Sequence, residues 1–302
     1  MFDNNSLEKS EQLKGSLFVF STYLFWGVQP IFWKQLQGIN SFQLIAHRIF
    51  WSFLFFIVIL KYNNKVDKLK EVVKDKKKLF LTIFAGYIVS ANWLIYIYAI
   101  NTNRILETSL GYYINPIISV ILGMIFLKER FNKNQMISFF FACLGVSVII
   151  IKFRVLPWIA ILLPIMFGVY GLIKKVADLD PIVSMAIETM AIMPIGLGYL
   201  LFTEITGVGH LFSDGPLITF YLIMTGVVTS LPLWWFAIGA RKIKLSTIGF
   251  IQFVSPTLSL IIGVTIYNEP FEFIQAISFG LIGIGILIYT YSVYMENKKA
   301  IE

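Results

Sequence analysis

The chain is poor in the residues that most chemistry needs. It has one cysteine, Cys143, and two histidines, His47 and His210, in 302 residues. A lone cysteine excludes an internal disulfide and any cysteine-based metal centre. Two distant histidines leave no H-E-x-x-H zinc motif, and no Walker A loop for ATP-driven pumping is present. A G-x-S-x-G nucleophile elbow is also missing, so neither catalysis, a metal nor a cofactor is expected. Charge is scarce too: 14% of residues are Asp, Glu, Lys or Arg, against about 25% in a soluble domain.

What fills the chain is hydrocarbon. Apolar residues make up 57%, and runs of about 20 residues, the length a helix needs to cross a bilayer, recur throughout. They predict ten membrane spans at 15–33, 41–60, 79–100, 105–127, 134–151, 156–173, 182–203, 216–239, 246–267 and 273–294. The first 14 residues are polar and run into a full-length span without a small-residue cleavage site, so the first helix is expected to be retained. Short polar ends, 1–14 and 295–302, flank the spans.

The net charge of +8 raises nucleic acid as a partner, but its distribution argues against it. With the N-terminus inside, 20 Lys and Arg fall on inner segments, eight of them between Lys61 and Lys78, and four on outer ones: Lys34, Arg104, Lys152 and Arg154. That asymmetry is the positive-inside rule, and it places both termini in the cytoplasm. The Lys-rich loop at 61–78 reads first as a topology determinant; attraction to anionic lipid is the second reading.

Sliding the chain by 140 residues sets SLGYYINPIISVILGMIFLKERF, 109–131, on GFIQFVSPTLSLIIGVTIYNEPF, 249–271. Pro116 meets Pro256, Gly123 meets Gly263 and Glu129 meets Glu269. Gly86 and Ser90 meet Gly226 and Ser230, and Ser138 and Gly145 meet Ser278 and Gly285. The chain therefore reads as a duplication of five spans, 15–152 and 156–294. Because five is odd, the second copy must enter the bilayer from the opposite face, which is the signature of an inverted-repeat transporter with its solute near the midplane. The expected fold is thus an all-α integral membrane protein of ten transmembrane helices in two inverted five-helix repeats.

The paired P-x6-G-x5-E-x-F motif, the ten spans and the short loops resemble the EamA-type branch of the drug/metabolite transporter superfamily. The segments AHRIFWS, ANWLIYIYAIN, LETSLGYYINP and AIETMAIMP resemble its RarD-type subgroup, which is linked by name to chloramphenicol sensitivity. The resemblance implies a ten-helix secondary transporter of the bacterial inner membrane and names no substrate. An exporter of a small polar or amphipathic metabolite or drug, working by alternating access with proton linkage, is the expectation; a lipid or lipid-linked flippase is the rival.

An ionisable side chain in the hydrocarbon costs about 3 kcal/mol or more and normally faces a cavity or a partner. His47 and Arg48 in span 2, Glu107 near the start of span 4 and Glu188 in span 7 are such groups. An offset of 141 sets His47 opposite Glu188, and both are candidates for proton uptake or solute contact, since imidazole titrates near neutrality and burial raises a carboxyl. The alternative is a structural role satisfied by neighbours. Arg48 and Glu107 are open between structural pairing and anion attraction.

Pro116 and Pro256 free the carbonyls of Tyr112 and Gln252, which need partners or a wet cavity inside a membrane. Tyr112, Asn115, Gln252 and Ser255 are therefore expected to line the cavity, or else the prolines merely shape packing. Asn92, Trp93 and Trp51, the last one turn from His47, complete the candidates, because aromatic walls hold flat or cationic molecules. The expected partners are a small-molecule substrate and membrane lipid, with the protein a monomer or, through its glycine faces, a weak homodimer.

Overall fold

A computed structural model describes residues 2–101, 105–153, 158–266 and 272–299. Every regular element among them is helical. Twelve α-helices follow one another: α1 Phe2–Trp33, α2 Ser41–Tyr62, α3 Val66–Lys74, α4 Lys76–Asn101, α5 Ile105–Phe126, α6 Lys133–Phe153, α7 Trp158–Ala177, α8 Pro181–Ile205, α9 Pro216–Ala240, α10 Leu245–Gln252, α11 Val254–Ile266 and α12 Phe273–Lys299.

Eight of the described segments are long and apolar enough to cross a membrane: α2, α4, α6, α7, α8, α9, α10 with α11, and α12. The expected ten are not all in that set. The ones outside it are α1 and α5, of which Gly111–Phe126 stands as a shorter apolar helix. In α1 the hydrocarbon character is diluted by groups that serve its neighbours: the Thr22 hydroxyl donates to Pro232 O and the Gln29 amide to Val228 O. The polar segment 1–14, expected as a separate lead, continues into α1 as one helix from Phe2, and the Lys-rich loop contains α3.

Ion pairs and loops define two ends of the bundle. At the end carrying the termini, Glu11 pairs with Lys242, Asp180 with Lys65 at 2.7 Å and Asp178 with Arg241 at 2.6 Å. At the other end Gln43 donates to Val208 O at 2.7 Å and Lys152 pairs with Glu272. Most of the core lies toward the terminal end, where Val19, Phe56, Ala85, Tyr170, Val183, Phe236, Leu245 and Ile248 form one cluster. Toward the loop end the clusters are small, for example Ile45, Ile49 and Ile192.

Glycine permits the closest crossings. On α6 and α12, a Cβ at Gly145 would lie 2.8 Å from Ser278 O and one at Gly285 would lie 2.8 Å from Ser138 O. A Cβ at Gly86 of α4 would sit 3.0 Å from Glu188 O on α8, and one at Gly226 of α9 would collide with Trp51 on α2. The matched prolines behave differently in the two copies. Pro116 lies inside an unbroken α5, whereas the chain ahead of Pro256 breaks at Phe253, between α10 and α11.

Candidate functional site

Among the described residues, three helices, α2, α7 and α8, bring charge into the interior. Lys174, in the last turn of α7, is 5% exposed and its ammonium pairs with Glu188 of α8, itself 2% exposed. Both groups are further satisfied. The Ser184 hydroxyl lies 2.9 Å from Lys174 Nζ and donates to Glu188 Oε1 at 2.8 Å, while the Tyr170 hydroxyl donates to Glu188 Oε2 at 3.2 Å. A buried charge survives only when paired and hydrogen-bonded, and Glu188 meets that condition. Phe236 stacks on Tyr170 and Phe167 tilts against both, with Trp26 edge-on to Phe167 and Tyr23 edge-on to Trp26.

Lys174 is the residue that sequence reasoning missed. Counted among the inner-loop lysines, it lies instead inside the bundle, which leaves 19 inner cations and the asymmetry intact.

Arg48 is held differently. Its Nε donates to Thr229 Oγ1 of α9 at 2.9 Å, and its guanidinium carbon lies 4.3 Å from the ring centre of Trp93 and 4.9 Å from that of Trp33. Tyr96 and Tyr112, hydrogen-bonded to one another, stand near it. No carboxylate pairs with it among the described residues. The Glu107 side chain lies outside the described part of the structure.

Beside Glu188 lies a small cavity with room for about one water, lined by Ser52, Gly86, Trp93, Glu188, Thr229, Ser230 and apolar neighbours; Trp93 and Thr229 are also residues that hold Arg48. Of the expected cavity residues, Glu188 and Trp93 line it. The others do other work. His47 is 1% exposed on α2, and neither its Nδ1 nor Trp51 Nε1, one turn on, has a hydrogen-bond partner among the described residues. The Asn92 amide donates to Leu163 O at 2.8 Å and so ties α4 to α7. Gln252 is a buried strut, donating to the Tyr23 hydroxyl at 2.8 Å and accepting from Ser119 at 3.1 Å. Tyr112 flanks Arg48, Asn115 Oδ1 is sealed and unpartnered among the described residues, and Ser255 is half-buried on α11. None of these last three lines the cavity.

The interior charges thus sit on helices drawn from both halves of the chain, and comparison with known proteins bears on both halves. The EamA-like transporter family matches residues 13–151 and again 156–291. The chain belongs to this family. It is 37% identical to the uncharacterized transporter YojE of Bacillus subtilis (strain 168), covering 95% of this chain and 96% of that one. It is 32% identical to protein RarD of Escherichia coli (strain K12), covering 97% and 100%, and 33% identical to protein RarD of Salmonella typhi over the same shares. A crystal structure superposes with a TM-score of 0.71 at 15% identity over 93% of this chain and 98% of its own, which speaks to the fold alone. With its apolar helices, this EamA-family chain is a multi-pass membrane protein.

The repeated motif of this EamA chain has a local physical meaning in its first copy. The Glu129 carboxylate accepts from Leu245 N at 2.7 Å, Ser246 N at 3.0 Å and Ser246 Oγ at 2.5 Å, capping α10 where free amides and the helix dipole favour an anion. Gly123 makes room for it, since a Cβ there would lie 2.8 Å from Glu129 Oε2. Glu269, its mate, lies outside the described residues.

Proposed function

We propose that the chain is a secondary transporter that moves a small polar or amphipathic solute across the bacterial inner membrane by alternating access around the cavity lined by Glu188, Thr229 and Trp93. The observation that carries it is the enclosure of that cavity by α2 and α4 from the first half and α8 and α9 from the second, since transporters of repeated architecture bind at the repeat interface.

Two five-span units related by a twofold axis in the membrane plane are the arrangement we infer, and reciprocal contacts support it. Gly145 on Ser278 is mirrored by Gly285 on Ser138, as twofold-related antiparallel helices require. The side-chain caps of α2 and α8, Asn40 and Asp180, stand 140 residues apart. That spacing pairs Glu188 with Arg48 rather than with His47.

One mismatch supports alternation. Gly86 meets Glu188, so its mate Gly226 is expected opposite Arg48; it meets Trp51 instead, about one helical turn along α2. Together with the denser core toward the terminal end, this favours a state closed on that side. The lysine distribution puts that side in the cytoplasm, with the inner ends of α1 and α12 there. Export and proton linkage through the Lys174–Glu188 pair complete the reading.

Counterflow in proteoliposomes tests it. Saturable, solute-driven exchange that a gradient of protons accelerates is expected. Flux that is linear in concentration or absent would overturn transport by a carrier, and movement of labelled lipid alone would favour a flippase.

A further inference from the structure

The chemistry of the solute can be narrowed from the same site, and the inference rests on the transport reading above. Among the described residues the interior charges do not cancel. Lys174 and Glu188 neutralise one another, whereas the described partners of Arg48 are a hydroxyl and two indole faces. Indole faces stabilise a desolvated cation, but they accept no directed hydrogen bond comparable to a carboxylate's. Of the five N–H donors on a guanidinium, Nε alone is hydrogen-bonded among the described residues. The terminal fork is the part shaped for bidentate recognition of an oxyanion, and Arg48 is half-buried, not sealed.

A second group points the same way. Ser230 follows Thr229 on α9 and lines the cavity, and its hydroxyl is sealed with no partner among the described residues. A buried donor left unpaired is destabilising, so an acceptor arriving in the cavity removes a penalty already present. Among the described residues the uncompensated interior charge is a single positive unit. It matches a monoanion, is exceeded by a phosphate dianion and repels an amine.

We propose that the transported solute carries a carboxylate, bound by the terminal nitrogens of Arg48 with Thr229 and Ser230 beside it. Trp33 and Trp93 hold the guanidinium flat so that its edge faces the solute. Arg48 is then the specificity-determining residue, and the Lys174–Glu188 pair takes no part in the recognition.

Thermal shift and calorimetry on the full chain in nanodiscs test this with aromatic and aliphatic carboxylates, each beside its amide, its amine and its phosphate ester of equal skeleton. Acids are expected to raise the melting temperature and to bind at least tenfold more tightly than matched amides or amines. Arg48→Gln is expected to remove that preference, while Arg48→Lys, which keeps the charge, retains part of it and melts near the parent temperature. Equal binding of amides, an acid preference that persists in Arg48→Gln, stronger binding of phosphate esters, or the absence of any Arg48-dependent acid binding would each overturn the proposal. Counterflow of the same compounds separates the two claims. Saturable flux of amines or amides sinks the carboxylate site and leaves transport standing, whereas Arg48-dependent acid binding without flux does the reverse.

Discussion

Lys174 of α7 and Glu188 of α8 form an ion pair from which water is shut out, held by Ser184 and Tyr170. Two desolvated charges of opposite sign stabilise a structure only as a pair. Removing one partner leaves the other stranded at a cost of about 3–5 kcal/mol, whereas replacing both with apolar residues is often neutral.

Lys174→Met and Glu188→Leu are therefore each expected to lower stability by about 3 kcal/mol, and the double variant is expected to recover most of it. A double-mutant cycle by denaturant unfolding in detergent measures the coupling. Additive losses would show that the two charges do not depend on each other.

Gly226 is predicted to be intolerant of any side chain. A Cβ there would drive into Trp51, and overpacking of this kind costs about 1–3 kcal/mol. Gly198, which meets nothing within 4 Å, is the matched control. Melting of Gly226→Ala and Gly198→Ala in the same detergent compares them; equal melting temperatures would contradict the close crossing of α2 and α9.

Asp180 links pH to stability at the terminal end. Burial pushes its carboxyl up, but the hydrogen bond and charge of Lys65 and the amides of Val183 and Ile182 outweigh it and leave the group below its ordinary 3.8. A depressed folded value means that the pair contributes above the unfolded value and is lost as pH falls through the folded one. Wild type is expected to lose stability below about pH 4 by more than Asp180→Asn, whose melting should vary less with pH there. At neutral pH Asp180→Ala is expected to cost about 1 kcal/mol for the lost helix cap.

Glu129→Ala removes the carboxylate from three donors at the start of α10. A loss of about 1–2 kcal/mol is expected, with Glu129→Gln falling between. Hydrogen exchange at Leu245 and Ser246 reads the effect locally; unchanged protection there would contradict the cap.

The spans were legible because hydropathy reports exclusion from water. Expected 41–60, 182–203 and 216–239 became Ser41–Tyr62, Pro181–Ile205 and Pro216–Ala240. The expected span 15–33 falls within α1, which is outside the set of long apolar helices and carries Thr22 and Gln29, polar groups that spend their hydrogen bonds on α9. The repeat was legible as matched Gly, Ser and Pro, and the structure gives those matches work, as at Gly145 and Gly285. The charge network was not legible. Nothing local says that Lys174 turns inward, because that depends on how α7 lies against α8. For the same reason Arg48 was named as a candidate while its partners, Thr229 and Trp33, were not.

The central claim is that the cavity lined by Glu188 and Thr229 belongs to a solute path that water reaches from one face at a time. The most direct test replaces Cys143 with Ser, introduces Thr229→Cys in that background and exposes oriented proteoliposomes to a membrane-impermeant thiol reagent. Modification from one face at a time, slowed by transported solute and abolishing counterflow, is the predicted result. A thiol that no aqueous reagent reaches from either face, with counterflow untouched, would contradict it.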